Sequence, residues 1–351
     1  MISLKANIEK PCNIECTPLF FACQRGYLDI VKILIENKAN IESQTDGKSP
    51  FCIAVENGYL NIATMLLEMK ANINSNMLHL NNNLLKACYD GNLDVAKYLI
   101  PLNVNLEFTD KNGYTPVIFA SDRGHLEIVK MLIENKVNIE SKLEGESPFF
   151  SACSSGHMEI AKVLIENNVN FETPNNGCTP FFIACQKGHL NIVKLLIQNN
   201  ANIETPLIIG KYLKFNKMNP LMISCYQGHK DIVTHLLENN LDINIPSENG
   251  WAAFKWTEEG KKDMLENKND LGEYTKNPAD YDVILTILNN YQMKVHKLVL
   301  NWPASHLQFC TRSKQFVLEL VDIWLQFNIP MDVITMLIRI VLHKQLYFYK
   351  E

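Results

Sequence analysis

The side chains in this 351-residue chain best suited to chemistry are histidines, cysteines and a recurring set of carboxylates. His125, His157, His189 and His229 each follow a glycine, and an imidazole can act as a general base or a metal ligand. The ten cysteines include a Cys12-x3-Cys16 pair, whose thiolates would suit zinc. Glu36, Glu134 and Glu166 recur at a regular interval. The spacing of all three groups argues against a reactive centre. No second Cys or His pair follows Cys12 and Cys16 at a zinc-site distance. Cys23, Cys88, Cys153, Cys185 and Cys225 stand three residues before a recurring glycine, and Cys16 and Cys178 both precede Thr-Pro, so position in a repeat explains seven of the ten. A thiol in such a place is a small buried hydrophobe. The four histidines share their position with Tyr27, Tyr59 and Asn92, which favours a hydrogen bond that braces a turn. The carboxylates fall on the solvated side of a helix. No GxSxG, HExxH or Gly-rich phosphate loop is present. The expectation is a non-enzyme with no catalytic residue, cofactor or metal.

The glycines themselves define the elements that carry these side chains. They are Gly26, Gly58, Gly91, Gly124, Gly156, Gly188 and Gly228, at gaps of 32, 33, 33, 32, 32 and 40 residues. The pairs Thr17-Pro18, Ser49-Pro50, Asn82-Asn83, Thr115-Pro116, Ser147-Pro148, Thr179-Pro180 and Asn219-Pro220 open the units at the same gaps. Length alone would suggest two or three globular domains. A period near 33 instead describes stacked supersecondary units that bury their apolar faces on one another.

One unit, Tyr114 to Ser141, shows the logic. Thr115 is a natural N-cap and Pro116 suits the first helical position, where its missing N–H is no loss. Gly124 should end this short helix in a left-handed conformation. His125 opens the turn to a second helix, in which Ile128, Val129, Leu132 and Ile133 form an apolar stripe. Asp110-Lys111-Asn112-Gly113 reads as a hairpin turn before the unit.

This spelling resembles the ankyrin repeat over roughly Ala6 to Tyr291. The resemblance implies an all-α solenoid with short β-hairpin turns, about seven clear units plus a degenerate eighth at residues 1–291, opening on a truncated unit. It also implies a concave groove, lined by hairpin tips and by the residues before each glycine, that binds a protein partner. Aromatic and basic side chains that vary between units are the best anchors there: Arg25, Tyr89, Tyr114, Arg123, Lys187 and Tyr226. The sequence departs from the family pattern at the second helix end, where Lys38, Lys70, Asn103, Lys136, Asn168, Asn200 and Asn240 replace glycine. A left-handed lysine there costs on the order of 1 kcal/mol.

Three regions break the pattern. The third unit lacks Thr-Pro and carries Pro101, so Asn74 to Asn105 should be the least stable stretch. The 40-residue gap places eight extra residues within Thr205 to Met218, where Ile208, Ile209, Tyr212 and Phe215 form either a partner-contacting finger or local packing. After Gly250 the register weakens: Gly260 stands where the unit glycine is expected, and Lys261 to Asn277 reads as an exposed insert before a second helix at Tyr281 to Asn290.

Residues 292–351 leave the repeat and read as a helical segment. Ile329, Pro330, Val333, Ile334, Leu337, Ile338 and Val341 resemble the opening of an F-box motif, preceded by Trp302-Pro303-Ala304-Ser305-His306, as at the end of ankyrin proteins of large DNA viruses and protists. A SOCS box fits less well. The resemblance implies docking of a cullin-ligase adaptor; a hydrophobic cap on the stack and self-association are the other readings. The net charge of −5 and pI near 6.0 oppose a nucleic-acid surface. No apolar run suits a membrane span or signal peptide. A cytoplasmic monomer is expected, with the nucleus also open to it.

Overall fold

The computed structural model describes residues 7–12, 16–141, 146–208, 215–266 and 277–300, the last of these with side chains to residue 294. It falls into two compact parts, Met1–Asn170 and Phe171–Glu351. Both are all-α among the described residues.

The N-terminal part contains helices α1 (Pro18–Arg25), α2 (Leu28–Glu36), α3 (Pro50–Glu56), α4 (Leu60–Glu68), α5 (Met77–Asp90), α6 (Leu93–Leu99), α7 (Pro116–Arg123), α8 (Leu126–Glu134), α9 (Pro148–Ser155) and α10 (Met158–Glu166). The C-terminal part contains α11 (Pro180–Lys187), α12 (Leu190–Gln198), α13 (Pro220–Gln227), α14 (Lys230–Glu238), α15 (Ala253–Glu266) and α16 (Pro278–Leu300). First helices stack on first helices (α1, α3, α5, α7, α9) and second on second (α2 on α4, α6 on α8, α8 on α10). Their facing side chains, such as Leu19, Phe51, Leu84, Val117 and Phe149, are at most 1% exposed. Each contributes roughly 1.5–3 kcal/mol by leaving water.

The ends of the helices follow the expected chemistry. The hydroxyls of Thr17, Ser49, Thr115, Ser147 and Thr179 and the Asn219 amide oxygen accept the backbone N–H three residues on. Gly124 closes α7 at φ +81°. Lys38, Lys70 and Lys136 take the left-handed conformation as read from the sequence, with Asn103, Asn168, Asn200 and Asn240. The residue before them adds a device the sequence reading missed. The side-chain amides of Asn37, Asn135, Asn167, Asn199 and Asn239 donate back to a carbonyl of the last turn at 2.8 Å, a second bond to the oxygen that already accepts the same residue's backbone N–H. The hairpin tips are reduced to isolated bridges, Thr45 with Lys48 and Asn175 with Cys178. Asp46-Gly47 and Asn176-Gly177 both have positive φ at each centre, the twist that closes a two-residue hairpin.

A ladder of carboxylates ties successive hairpins. In the N-terminal part, one Oε of Glu9, Glu42, Glu107 and Glu140 accepts the backbone N–H of Asn40, Asn72, Asn138 and Asn170, at 2.5–2.8 Å. Glu172 and Asn202 repeat the rung in the C-terminal part at 2.7 Å. The asparagine oxygen in turn accepts the N–H two residues on, as Asn138 does from Glu140 at 3.0 Å.

Two expectations need correcting, and the third repeat shows a feature the sequence reading missed. In that repeat, without Thr-Pro to stop it, α5 extends backward to Met77, and a 3-10 turn at Asn74–Asn76 replaces the hairpin tip. Buried Asn76 accepts the Ser49 N–H at 3.2 Å, and buried Asn83 donates to the Cys52 carbonyl at 3.4 Å. Pro101 sits in a closing 3-10 turn, Ile100–Leu102. Of the two expectations, first, Gly260 is no helix cap. It lies inside α15, pressed on the Tyr226 backbone carbonyl where a Cβ would have no room. Lys261 to Glu266 are therefore helical. Lastly, α16 runs from Pro278 to Leu300, past residue 291, so the boundary read between 291 and 292 falls within a helix.

Candidate functional site

Three of the six groove anchors meet in the N-terminal part. Tyr89 comes from the last turn of α5, Tyr114 from the loop before α7, and Arg123 from the last turn of α7. Phe119, one helical turn before Arg123, joins them. The Tyr114 and Phe119 rings stack at 5.1 Å with an interplanar angle of 20°. Tyr89 meets Phe119 edge-on at 5.5 Å. The Arg123 guanidinium lies 4.0 Å from the Tyr89 ring centroid, and its Nη2 donates to the Tyr89 hydroxyl at 2.5 Å. Tyr89 is still 42% exposed, so the cluster is open to solvent. An aromatic face that already holds one cation is adhesive without being reactive.

The surroundings fix these side chains. Asp110 Oδ1 accepts the backbone N–H of Asn112 at 3.0 Å and of Tyr114 at 2.8 Å, which sets the loop that carries Tyr114. The Tyr114 phenol is pushed up to about 12, chiefly by its hydrogen bond to Glu146, then by burial and the charges of Glu146, Asp122 and Asp110. It stays a neutral donor at physiological pH. Asp122 pairs with Arg123 at 3.6 Å and accepts from Ser155 at 2.8 Å.

The recurring histidines serve this site indirectly. The expectation was a hydrogen bond that braces a turn, and the turn is that of the preceding repeat: His125 Nε2 donates to the Tyr89 carbonyl at 3.1 Å, and His157 Nε2 to the Asp122 carbonyl at 2.8 Å. The rings lie over Gly91 and Gly124, where a Cβ would strike them. In the C-terminal part His229 bonds the Gln186 carbonyl at 3.0 Å, and the Tyr281 hydroxyl takes the same place on the Tyr226 carbonyl at 3.1 Å. The histidines therefore fix the backbone that presents Tyr89 and Asp122.

The other anchors stand apart. Arg25 lies over Phe21 at 5.4 Å, in the first repeat. Lys187 is exposed at the end of α11. Tyr226 is no free groove residue: its hydroxyl donates to Asp263 at 2.7 Å and its ring packs on Phe215 and Trp256 at 5.2 and 5.8 Å. Burial, the Asp263 hydrogen bond and its charge raise the Tyr226 phenol. It joins α13 to α15. Phe215, read as part of a finger, points into the same aromatic core, 5.9 Å from buried Trp256. Ile208 is 65% exposed, while its backbone N–H is held by the Gly177 carbonyl at 3.1 Å. Ile209 and Tyr212 lie outside the described residues, as do Ile329, Pro330, Val333, Ile334, Leu337, Ile338 and Val341.

Among the described residues, no group of His, Cys, Asp and Glu could hold a metal, and no helix is long and apolar enough to cross a membrane. Cys23, Cys88, Cys153, Cys185 and Cys225 are buried, and burial raises every one of these thiols. Such thiols are poor nucleophiles.

Phe119 and the carboxylate ladder were missed in the sequence. Phe119 was legible as an aromatic four residues before Arg123, echoing Phe21 and Arg25. The ladder was legible as the recurrent Asn-x-Glu of the hairpins.

Comparison with protein families agrees with this geometry. Residues 2–77, 79–142 and 135–206 match the family described as ankyrin repeats in three copies, and residues 216–248 match the single ankyrin repeat. No curated protein matches the chain. The paired helices, left-handed glycines and matched segments together place it: the chain belongs to the ankyrin-repeat family.

Proposed function

We propose that the protein is a non-enzymatic interaction scaffold and that the patch of Tyr89, Tyr114, Phe119 and Arg123 receives its protein partner. Ankyrin repeats are protein–protein interaction modules, which supplies the class of function. The observation that carries the finer reading is convergence. Side chains that vary from repeat to repeat meet in one exposed aromatic–arginine cluster. Tyr and Arg dominate interface energetics because they bury large areas and keep a polar tip. In this reading the repeats select the partner.

The test is a triple variant, Tyr89→Ala, Tyr114→Ala and Arg123→Ala, with Tyr226 left intact because it holds α13 to α15. Proximity labelling in the source cell supplies the partner, and calorimetry the affinity. The expected loss is at least about 100-fold at an unchanged melting temperature. Equal affinity of the variant removes the patch from the interface. The reading of the chain as a cullin-ligase substrate adaptor is supported by the sequence resemblance at Ile329 to Val341. Recovery of a cullin complex by the full chain, lost when Pro330 and Leu337 become Asp, is its test.

A further inference from the structure

One recurring glycine, in the interior of the N-terminal part, lacks the ring that covers its counterparts. Tyr59 lies over Gly26, His125 over Gly91 and His157 over Gly124. In the C-terminal part His229 lies over Gly188 and Tyr281 over Gly228. At Gly58 nothing stands within 4 Å of where a Cβ would be. Gly58 is accordingly exposed, whereas Gly26, Gly91, Gly124, Gly156, Gly188 and Gly228 are half-buried. The cause is a single residue. Asn92 holds the histidine position of the third repeat, and its short side chain serves its own helix, where Oδ1 accepts the Val95 N–H at 3.1 Å. The acceptor that a ring would meet is left open too. His125, His157, His229 and Tyr281 each bond the carbonyl two residues before the glycine they cover. The equivalent carbonyl here belongs to Glu56, at the end of α3, and among the described residues no donor reaches it. A cleft of about 250 Å³, open on one side, lies between Glu56 and Asn92, with Lys86, Ala87, Asp90 and Val95 also on its walls.

We propose that this cleft is a socket for a histidine side chain of the protein partner, its ring over Gly58 and its N–H donating to the Glu56 carbonyl. The chain demonstrates the fit with its own imidazoles at Gly91, Gly124 and Gly188. The cleft is smaller than the roughly 300–1,000 Å³ of a drug-sized site, which suits one inserted side chain. Ala87 and Val95 offer the ring apolar surface. The Glu56 carboxylate is already paired with Lys48 at 2.6 Å, and Asp90 and Lys86 add one charge of each sign, so the walls call for a neutral donor and not for an ion. Asp90 directly follows Tyr89, so the socket adjoins the aromatic–arginine patch, and the inference rests on the reading of that surface as the partner's docking site.

Imidazole itself is the probe, titrated into the full chain at about pH 8.5, where the ring is neutral, and followed by amide NMR. The expected result is saturable shifts at Gly58 and Asn92, with a dissociation constant on the order of 10 mM. N-methylimidazole, which has no N–H when neutral, should bind at least about 10-fold more weakly. Two variants close the socket by different means. Asn92→His supplies the ring from within the chain. Gly58→Ala puts a methyl where the ring would lie, just as a Cβ at Gly91 would come within 2.4 Å of His125. Both should abolish the imidazole shifts and weaken the partner at least about 10-fold, with circular dichroism showing each folded. No saturable shift, equal binding of N-methylimidazole, or full partner affinity in both closed variants overturns the proposal. The two readings fail separately. Partner affinity lost in the triple patch variant, with no imidazole shifts, removes the socket alone. Partner affinity kept in the triple patch variant but lost in both closed variants removes the patch and leaves the socket standing.

Discussion

Gly124→Ala separates two roles that the recurring glycines combine. At φ +81° an alanine is strained by roughly 1–2 kcal/mol. Its Cβ would also strike the His157 ring, which now donates to the Asp122 carbonyl at 2.8 Å. Displacing the ring forfeits that bond, a further 0.5–1.5 kcal/mol or so. The total is about 1.5–3.5 kcal/mol. Gly58 supplies the control: its φ is +77°, but nothing lies within 4 Å of where its Cβ would stand. Gly58→Ala should therefore show the backbone penalty alone, about 1–2 kcal/mol. Urea unfolding followed by circular dichroism measures both. In a His157→Ala background, Gly124→Ala should fall to the Gly58→Ala value, because the ring it strikes has gone. If Gly124→Ala and Gly58→Ala destabilise equally in the native background, the ring-over-glycine account is wrong.

Other perturbations follow from the same geometry. Asn83→Pro, which moves the third repeat toward the family spelling, should destabilise by about 3 kcal/mol or more, because the residue lies inside α5 and its amide bonds the Cys52 carbonyl. Stabilisation in urea would refute the extended helix. Gly260→Ala would ordinarily strengthen a helix by about 1 kcal/mol, yet here it should destabilise, because the Cβ meets the Tyr226 carbonyl; a raised melting temperature counts against that packing. Alkaline pH should unfold the protein. Burial raises the Cys23, Cys88 and Cys225 thiols from 9.0 to about 12, so folded thiols stay protonated while unfolded ones ionise. Their contribution is intact below about pH 9 and declines toward pH 12, by up to about 1.4 kcal/mol per pH unit per thiol. A urea midpoint equal at pH 8 and pH 10.5 would contradict this.

What could be read in the sequence was whatever obeys local rules. Thr115-Pro116 and Gly124 mark a helix because capping and left-handed turns act over three or four residues. Lys136 and Asn168 were legible for the same reason. The length of the third repeat's first helix was not legible, because the missing Thr-Pro was read only for its effect on stability; with no breaker between Met77 and Asp90, propagation simply continued backward. Tyr226 misled for a different reason. Its partner Asp263 lies in the degenerate last repeat, where no periodic position foretells a contact. The Tyr89 patch was half legible. Its three chosen members were variable aromatics and an arginine, but Phe119, the ring that joins them, sat among apparent core residues.

The carboxylate rungs have an implication for how such a chain can change length. Every rung joins one module's acid to the next module's main chain, and the main chain is the same whatever residue occupies it. A cassette of about 33 residues can therefore be copied, deleted or transplanted without searching for a matching partner, provided it brings its own glutamate. Growth by tandem duplication needs no compensating substitution at the seam, which makes the hairpin edge the natural splice point for engineering longer or shorter versions.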